Sequence, residues 1–252
     1  MRRTSVPGVG GVLSADIAVP EHEREVAFYA SILTTGTNPL WREDLMNNQG
    51  TPIIGLGVRT PEYDALPLQW MPHFQVADVA ASAAAALELG GNEIMHGKAD
   101  DGTSQWAVLT DPDGAAFGLI PAVPADAVPA SDTDHVGCIA WLSLFVPDAA
   151  KSRNFYQGVV GWSARPSEST PGDAHNADVE MVRDDDLAVA EICSQRSLDA
   201  DIPPVWLLHL PVDDLADSVQ RASAAGGVVV NQADGFAIVR DPVGVYVGLC
   251  AG

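Results

Sequence analysis

Positive charge is scarce in this chain of 252 residues, which has two lysines, Lys98 and Lys151, and 13 Lys and Arg in all against 34 Asp and Glu. The formal net charge of -21 argues against binding to nucleic acid or to anionic membranes, because phosphate groups would be repelled. With 47% hydrophobic residues the chain can still build a packed core, so a disordered protein is not expected.

Cysteine pairs and long apolar runs are also missing. The three cysteines have no CxxC partner, so neither a disulfide framework nor a thiolate metal site is expected. No apolar run is long enough to span a bilayer, and the start "MRRTSVPGVGGVL" lacks the apolar core of a secretory signal. We therefore expect a cytoplasmic protein with no membrane partner.

Two stretches of the sequence are near copies of each other. "WMPHFQVADVAASAAAALELGG" begins at Trp70 and "VWLLHLPVDDLADSVQRASAAGG" begins at Val205, and in both the Val after the His lies 14 residues before the first Gly of the Gly-Gly pair. Spacing held this closely indicates a repeated structural unit. Two further stretches repeat a Val-Pro pair whose Val lies nine positions before the Phe of a Phe-Tyr pair, and Asp-Pro-x-Gly also occurs twice. These repeats extend the pattern to four units.

Each unit predicts a strand, a helix and several short strands, which is an α+β arrangement. The units cover about residues 12–60, 68–121, 136–195 and 204–250, with helices over 21–33, 78–89, 148–160 and 213–225. Asp-Pro-x-Gly suits a type I turn, and Gly-Gly suits a left-handed helix end. The Pro-, Ala- and Asp-rich segment 122–135 is a predicted linker between an N-terminal domain, residues 1–121, and a C-terminal domain, residues 136–252.

This pattern resembles the vicinal oxygen chelate superfamily, which includes glyoxalases, bleomycin-resistance proteins and extradiol dioxygenases. The resemblance rests on Phe28-Tyr29 and Phe155-Tyr156, on "VADVAA…LGG" and "VDDLAD…AGG", and on the two Asp-Pro-x-Gly corners. It points to the tandem glyoxalase-like or hydroxylase-like members. It implies four βαβββ units that form two glyoxalase-like domains with open, cup-shaped sheets. Pairing of units within each half is favoured, and pairing across the halves stays open.

The resemblance also implies where metal ligands would stand, and the sequence lacks most of them. The first-strand positions hold no usual ligand of a hard divalent cation: Ser14, Met71, Trp141 and Leu207. The last-strand positions, where the family has Glu, hold Gly55, Gly118, Glu191 and Gly248. We therefore predict no cofactor. A divalent metal at a shifted site that includes His209 and Glu191 is the alternative.

His73 and His209 occupy equivalent places, three residues before the last Val of their strands. Because strand side chains alternate, both share the face of the ligand positions, and Asp16 and Ser143 hold the same place in the other two units. Three interpretations stay open: each His hydrogen-bonds a neighbouring group, binds a ligand or transfers a proton, or joins a metal site. If the protein catalyses a reaction, the candidate catalytic residues are His73, His209 and Asp16, since imidazole titrates near neutral pH.

Aromatic residues recur as well. Trp106 and Phe236 each lie five residues before the Asp of their corner, and Trp141 stands at a ligand position itself. A Trp at that position favours an aromatic-lined cup that holds a flat organic molecule. The predicted ligand contacts are Trp141, Met71, Ser143, Leu207, Ser14, Trp106 and Phe236.

The sequence thus predicts a metal-independent small-molecule-binding protein of the glyoxalase or bleomycin-resistance type. It would sequester or transform an aromatic or drug-like compound, as a monomer or a homodimer. The alternatives are a metal-dependent glyoxalase- or dioxygenase-type enzyme with non-standard ligands, and a regulatory binding protein. Whether the protein is an enzyme stays open; an enzyme of this kind would be a lyase or an oxidoreductase.

Overall fold

The computed structural model describes residues 6–33, 41–42, 45–48, 51–124, 126, 139–167, 178–195, 202–233 and 235–251. Over these residues the chain forms two eight-stranded sheets and four α-helices. The first sheet consists of β1 Val12–Val19, β2 Trp41–Arg42, β3 Leu45–Asn48, β4 Thr51–Val58, β5 Met71–Val76, β6 Asn92–Lys98, β7 Ser104–Thr110 and β8 Ala116–Pro121. The second consists of β9 Trp141–Val146, β10 Ser163–Pro166, β11 Val179–Val182, β12 Ala188–Ser194, β13 Trp206–Val212, β14 Val228–Ala233, β15 Phe236–Arg240 and β16 Tyr246–Ala251.

The two sheets have the same topology. The strand order is β2-β3-β4-β1-β5-β8-β7-β6 in the first sheet and β10-β11-β12-β9-β13-β16-β15-β14 in the second. In each sheet the first strands of two units lie side by side and antiparallel, and each is parallel to the last strand of its own unit. The chain is therefore α+β with four βαβββ units. The units pair within each half, as the sequence favoured, and pairing across the halves is wrong.

The helices lie close to their predicted positions: α1 His22–Ile32, α2 Val79–Glu88, α3 Ala149–Val160 and α4 Leu215–Ala224. Asp78, Asp148 and Asp214 cap the last three, because each side chain accepts a hydrogen bond from a backbone N–H in the first turn. The predicted left-handed ends are confirmed at Gly90 and Gly226, whose φ angles are 90° and 94°. None of the helices in the described part of the chain has the length and hydropathy needed to cross a bilayer.

Helices α1 and α4 pack against each other, and so do α2 and α3, which joins the two halves. Tyr29 of α1 donates a hydrogen bond to Asp241 Oδ2 at the second corner (2.9 Å), and Tyr156 of α3 donates one to Asp111 Oδ2 at the first corner (3.1 Å). The Phe-Tyr and Asp-Pro-x-Gly repeats therefore contact each other across the halves. They form an interface rather than a ligand site.

Part of the predicted organisation lies outside the described residues. This applies to most of the linker 122–135, of which the structure describes only residues 122–124 and 126, and to Cys138. The domain boundaries at residues 121 and 136 therefore stay predictions. What the structure adds is that each sheet draws its strands from one half only, between Val12 and Pro121 or between Trp141 and Ala251.

Candidate functional site

A cavity of about 460 Å³ opens on the face of the first sheet that points away from the core. Alternation along β5 places Met71 and His73 on this face. Phe74 points to the opposite face of the sheet and is fully buried in the core. The volume falls in the range of about 300–1,000 Å³ that is usual for small-molecule sites. We call this region the N-terminal cup.

His73 stands in the wall of the N-terminal cup between two polar neighbours on β1. Its Nδ1 lies 2.8 Å from Ser14 Oγ, in a hydrogen bond whose donor depends on the tautomer, and its Nε2 lies 3.5 Å from Asp16 Oδ2. The side chains of His73 and Asp16 are 18% and 55% exposed. Ser14 therefore orients the imidazole, while both His73 and Asp16 line the cavity.

The His73 imidazole lies directly on Gly118 of the neighbouring strand. A Cβ on Gly118 would stand 2.6 Å from His73 Cδ2, closer than side-chain atoms approach one another. The second sheet repeats this arrangement, since a Cβ on Gly248 would stand 2.7 Å from His209 Nδ1. The glycines are paired with the two histidines across parallel strands, so each glycine provides the space that its imidazole fills.

Trp106 lies at the edge of the N-terminal cup and is 39% exposed. A Cβ on Gly97 of β6 would stand 2.2 Å from the Trp106 indole, so the ring lies against the backbone of that strand. Met95 on the same strand and Tyr63, in the short 3-10 helix Pro61–Tyr63 before β5, also line the cavity. The cup thus offers a ligand two aromatic rings, Trp106 and Tyr63, and the polarisable thioether of Met95.

The second sheet holds the equivalent residues in a more buried setting. His209 Nε2 lies 3.0 Å from Ser143 Oγ, and burial lowers the pKa of His209 to about 4, so its imidazole is neutral near pH 7. Trp141 pairs with His209 between β9 and β13 and is half-buried. His209 is therefore neutral and hydrogen-bonded to Ser143 in this state, and its predicted role in catalysis stays a prediction.

An apolar cluster in the second half corresponds to the cluster of Leu66, Met71 and Ala116 that lies beside the N-terminal cup. Leu207, which matches Met71 in the repeat, is fully buried with Ile202, Val205 and Ile238, and Phe236 packs against them. Leu207 and Phe236 therefore contact other side chains of this chain. Their predicted roles as ligand contacts stay predictions.

Glu191 was predicted to share a shifted metal site with His209, but the structure groups it with other potential metal ligands. One ligand atom from each of Asp178, Glu191 and Cys193 lies within 4.8 Å of the others, and Ser167 Oγ donates a hydrogen bond to Glu191 Oε1. His209 is not a member of this group. Carboxylates together with a thiolate are a donor set that borderline metals such as Zn²⁺ accept.

The structure brings four predicted site residues together in the N-terminal cup: Asp16, Met71, His73 and Trp106 line the cavity, and Ser14 reaches it through His73. The lining residues Tyr63 and Met95 escaped the sequence reasoning, because neither recurs among the four units. Gly118 has a signal in the sequence, the "FGL" that matches "VGL" in the second half, but this signal does not show that an imidazole lies over the glycine.

A model of the glyoxalase-like domain matches residues 14–120 and again residues 141–250, so the chain belongs to the glyoxalase-like domain family. "Putative glyoxylase CFP32" of Mycobacterium bovis is 28% identical over 188 residues, which are 72% of this chain and 69% of the relative. "Anthracycline biosynthesis protein DauV" of Streptomyces sp. strain C5 is 27% identical over 174 residues, which are 66% of this chain and 58% of the relative.

Solved structures share the fold at low sequence identity. The Mn(II)-bound glyoxalase from Novosphingobium aromaticivorans has a TM-score of 0.59 at 16% identity, covering 98% of this chain and 83% of its own. An extradiol ring-cleaving dioxygenase from B. fuscum has a TM-score of 0.62 at 11% identity, covering 99% of this chain and 73% of its own. The chain is thus a member of the vicinal oxygen chelate superfamily.

The residues present do not fit a metal ion at the positions that the superfamily resemblance implies. In the N-terminal cup these positions hold Ser14, Gly55, Met71 and Gly118, which together offer one hydroxyl group and no carboxylate. The imidazole of His73 also fills the space over Gly118. A metal would need other ligands, of which Asp178, Glu191 and Cys193 are the described candidates.

Proposed function

We propose that the N-terminal cup binds a small, flat organic molecule and that the protein sequesters or transforms this molecule without a metal ion. The observation that carries the proposal is a cavity of about 460 Å³ whose lining is largely apolar, with His73 and Asp16 side by side in its wall. A pocket with few, convergent polar groups in an apolar lining is the usual form of a small-molecule site.

Hydroxyl-bearing aromatic molecules suit this lining. Trp106 presents an indole to one face of a flat ring, and Met71 and Met95 adapt to its outline. A relative is named for the biosynthesis of anthracyclines, compounds built on flat fused rings, which supports a ligand of this shape. The relationship is distant, so it supports the class of ligand and not a particular compound.

His73 is the group in the cup that is suited to proton transfer. Ser14 fixes the imidazole through Nδ1, and Nε2 lies on the side of Asp16, which lines the cavity. In a transformation of the ligand, His73 would take up or release a proton at a ligand hydroxyl or at a carbon beside a carbonyl, and Asp16 would stabilise the imidazolium that forms. In sequestration the same two groups would hydrogen-bond the ligand.

The test is a titration of the protein with alizarin, a flat dihydroxylated anthraquinone, in the presence of a chelator. Tryptophan fluorescence reports binding, and chromatography of the mixture reports any product. We expect binding that survives the chelator, and a loss of about tenfold or more in affinity in Trp106→Ala, because aromatic packing and the buried contact area are both lost. His73→Ala should weaken binding and abolish any product.

His209→Ala is the matched control, since it removes the same side chain from the equivalent strand of the other half. It should leave alizarin binding unchanged even if it lowers stability. Circular dichroism on each variant separates a folding defect from a binding defect. Binding that is equal in wild type, Trp106→Ala and His73→Ala would place the ligand elsewhere and contradict the proposal, as would no binding of either alizarin or the flat cation 9-aminoacridine.

A metal-dependent enzyme of the glyoxalase or dioxygenase type is the second candidate, and the grouping of Asp178, Glu191 and Cys193 favours it. In this case a chelator would abolish activity, and Glu191→Ala would release the metal ion. Glu93→Ala, in the exposed ion pair with His96, is the control that removes a carboxylate outside the group. Full activity in the presence of chelator would reject this candidate.

A further inference from the structure

The described residues that line the N-terminal cup include an acidic side chain but no basic Lys or Arg side chain. Among these described residues, Asp16 carries the only carboxylate. Arg59 lies at the end of the neighbouring strand, but its guanidinium donates to the backbone carbonyls of Ala18, Asp64 and Leu66. Among the described residues, the cup lining therefore has one carboxylate and no Lys or Arg side chain; the Arg59 guanidinium keeps its charge but is held outside the lining by backbone carbonyls.

The Asp16 carboxylate is accessible to a ligand. Its side chain is 55% exposed, and among the described residues its one polar side-chain contact is the 3.5 Å approach of Oδ2 to His73 Nε2. Its neighbours across the strands are Gly55 and Met71, which bring no competing side-chain donor. A ligand group with N–H donors can therefore reach the carboxylate from the cavity without displacing an existing ion pair with Lys or Arg.

The remaining lining suits a cation as well. The faces of Trp106 and Tyr63 carry the partial negative charge that attracts ammonium and iminium groups, and the thioethers of Met71 and Met95 are polarisable. The formal net charge of -21 adds a long-range field that concentrates cations at the protein surface and repels anions.

We infer that the ligand of the N-terminal cup is a flat aromatic molecule with a basic nitrogen, and that the Asp16 carboxylate binds this nitrogen. The inference rests on the proposed function and goes beyond it, because it fixes the charge of the ligand and the residue that selects it. Trp106 contacts the ring system, and Asp16 provides the charge-assisted hydrogen bond.

Three acridines of nearly equal shape test the inference. Near neutral pH, 9-aminoacridine is a cation, acridine is largely neutral and acridine-9-carboxylate is an anion. Calorimetric titration should show the cation binding about tenfold or more tighter than neutral acridine, because a charge-assisted contact is added, and the anion should bind weakest. Asp16→Asn should bring the affinity for the cation down to that of neutral acridine and leave acridine itself unchanged.

Asp213→Asn is the control, because it removes the same net charge from an exposed position before α4 and outside the cavity. It should leave all three affinities unchanged. Equal binding of cation and neutral acridine, or an Asp16→Asn variant that keeps the preference, would overturn the inference while the proposed function stands. If none of the three binds and Trp106→Ala gives the same result as wild type, the proposed function fails and the inference fails with it.

Discussion

The imidazoles of His73 and His209 each lie on a glycine of the next parallel strand. A Cβ at Gly118 or at Gly248 would approach its imidazole to 2.6 or 2.7 Å, so a side chain at either position would displace the ring. The superfamily resemblance puts a carboxylate ligand at these two glycines. The absence of a side chain at each glycine and the position of the imidazole are therefore connected, because a carboxylate side chain there would collide with the ring.

Gly118→Ala should move the His73 imidazole out of its place and weaken ligand binding in the N-terminal cup. The added methyl group has no free space at 2.6 Å from Cδ2, and the ring is held on its other side by Ser14. The affinity for alizarin, with thermal unfolding of the same variant, measures the effect. We expect a loss of about tenfold in affinity, as the hydrogen bond from His73 is misplaced.

Gly248→Ala makes the matched change in the second sheet, where the ring of His209 would move instead. Its unfolding temperature should fall as much as that of Gly118→Ala, while ligand affinity stays at the wild-type value. If both variants bind ligand as wild type does, the imidazole of His73 has no part in binding.

For single residues, the sequence predicted that His73 and His209 hold equivalent positions in their strands and lie on the same face of their sheets. This was possible because strand alternation and the spacing of the repeat are local properties. The sequence did not predict that desolvation lowers the pKa of His209 to about 4, although both histidines are half-buried. Desolvation depends on side chains from elsewhere in the chain, and these follow the repeat only in part. Ile202 matches Leu66, four residues before the Trp of its unit, whereas Val205 stands where the first half has Gln69.

Between secondary-structure elements, the repeated motifs of the sequence meet as pairs. Tyr29 donates to Asp241 and accepts from Trp70 Nε1 (3.2 Å), and Tyr156 donates to Asp111 and accepts from Trp206 Nε1 (2.9 Å). The hydroxyl of each tyrosine therefore joins a helix, a strand and a corner of the opposite half. Both hydroxyls are buried, and burial raises the pKa of Tyr29 and of Tyr156 well above the ordinary value.

The second glycine of each Gly-Gly pair has a separate role. A Cβ on Gly91 would stand 3.1 Å from Phe155 Cε2, and one on Gly227 would stand 2.9 Å from Phe28 Cε2. The Phe of each Phe-Tyr pair thus packs on a glycine of the other half. The sequence revealed the repeats, but their contacts join residues far apart in the chain, and no local pattern predicts which repeat meets which.

Tyr29→Phe and Tyr156→Phe should each lower the free energy of unfolding by about 1–3 kcal/mol, because a buried carboxylate loses a donor and a buried indole N–H loses its acceptor. Chemical denaturation measures the change. Tyr63→Phe, at a half-buried residue of the 3-10 helix before β5, is the control and should have a small effect. A loss in the Tyr29 and Tyr156 variants no larger than in the control would mean that the hydroxyls do not hold the halves together.

At the scale of the whole molecule, the contact between the halves includes a buried glutamic acid, Glu25, that has no acidic counterpart at the equivalent position of the repeat. Glu25 of α1 is fully buried, and neither of its carboxyl oxygens has a hydrogen-bond partner among the described residues. Ser152 holds the equivalent place in α3. Burial first, and then the repulsion of Asp241, raise the pKa of Glu25 to about 8. Asp241 already accepts bonds from Tyr29, Val243 and Val245, so Glu25 is the member that keeps a proton.

The stability of the protein should therefore depend on pH through Glu25. Its pKa is about 8 in the folded state and 4.5 at its ordinary value, so the stability from the neutral form is fully present below pH 4.5 and is lost as the pH rises to about 8. Glu25→Gln should remove this fall, measured by denaturation across the pH range. Glu23→Gln on the exposed side of α1 should keep it, and a wild-type curve that is flat up to pH 8 would contradict the assignment.

At this scale the α+β class, the four units and the pairing of units within halves were all predicted from the sequence, because each unit repeats the same local pattern. The N-terminal cup was predicted only in part. Asp16 and His73 share a strand pair, which the spacing indicates. Tyr63 comes from a single turn of 3-10 helix, Pro61–Tyr63, which is too short for a periodic pattern and whose sequence has no counterpart in the repeat.

The account as a whole depends on glyoxalase-like sheets that bind an organic ligand without a metal ion. Elemental analysis of protein purified without a chelator or a metal-binding tag, before and after incubation with Mn²⁺, Fe²⁺, Ni²⁺ or Zn²⁺, tests this most directly. The account predicts a metal content near zero in every sample, because the superfamily ligand positions hold no suitable donor set. A stoichiometric metal ion that is lost in Glu191→Ala would contradict it and establish Asp178, Glu191 and Cys193 as the metal site.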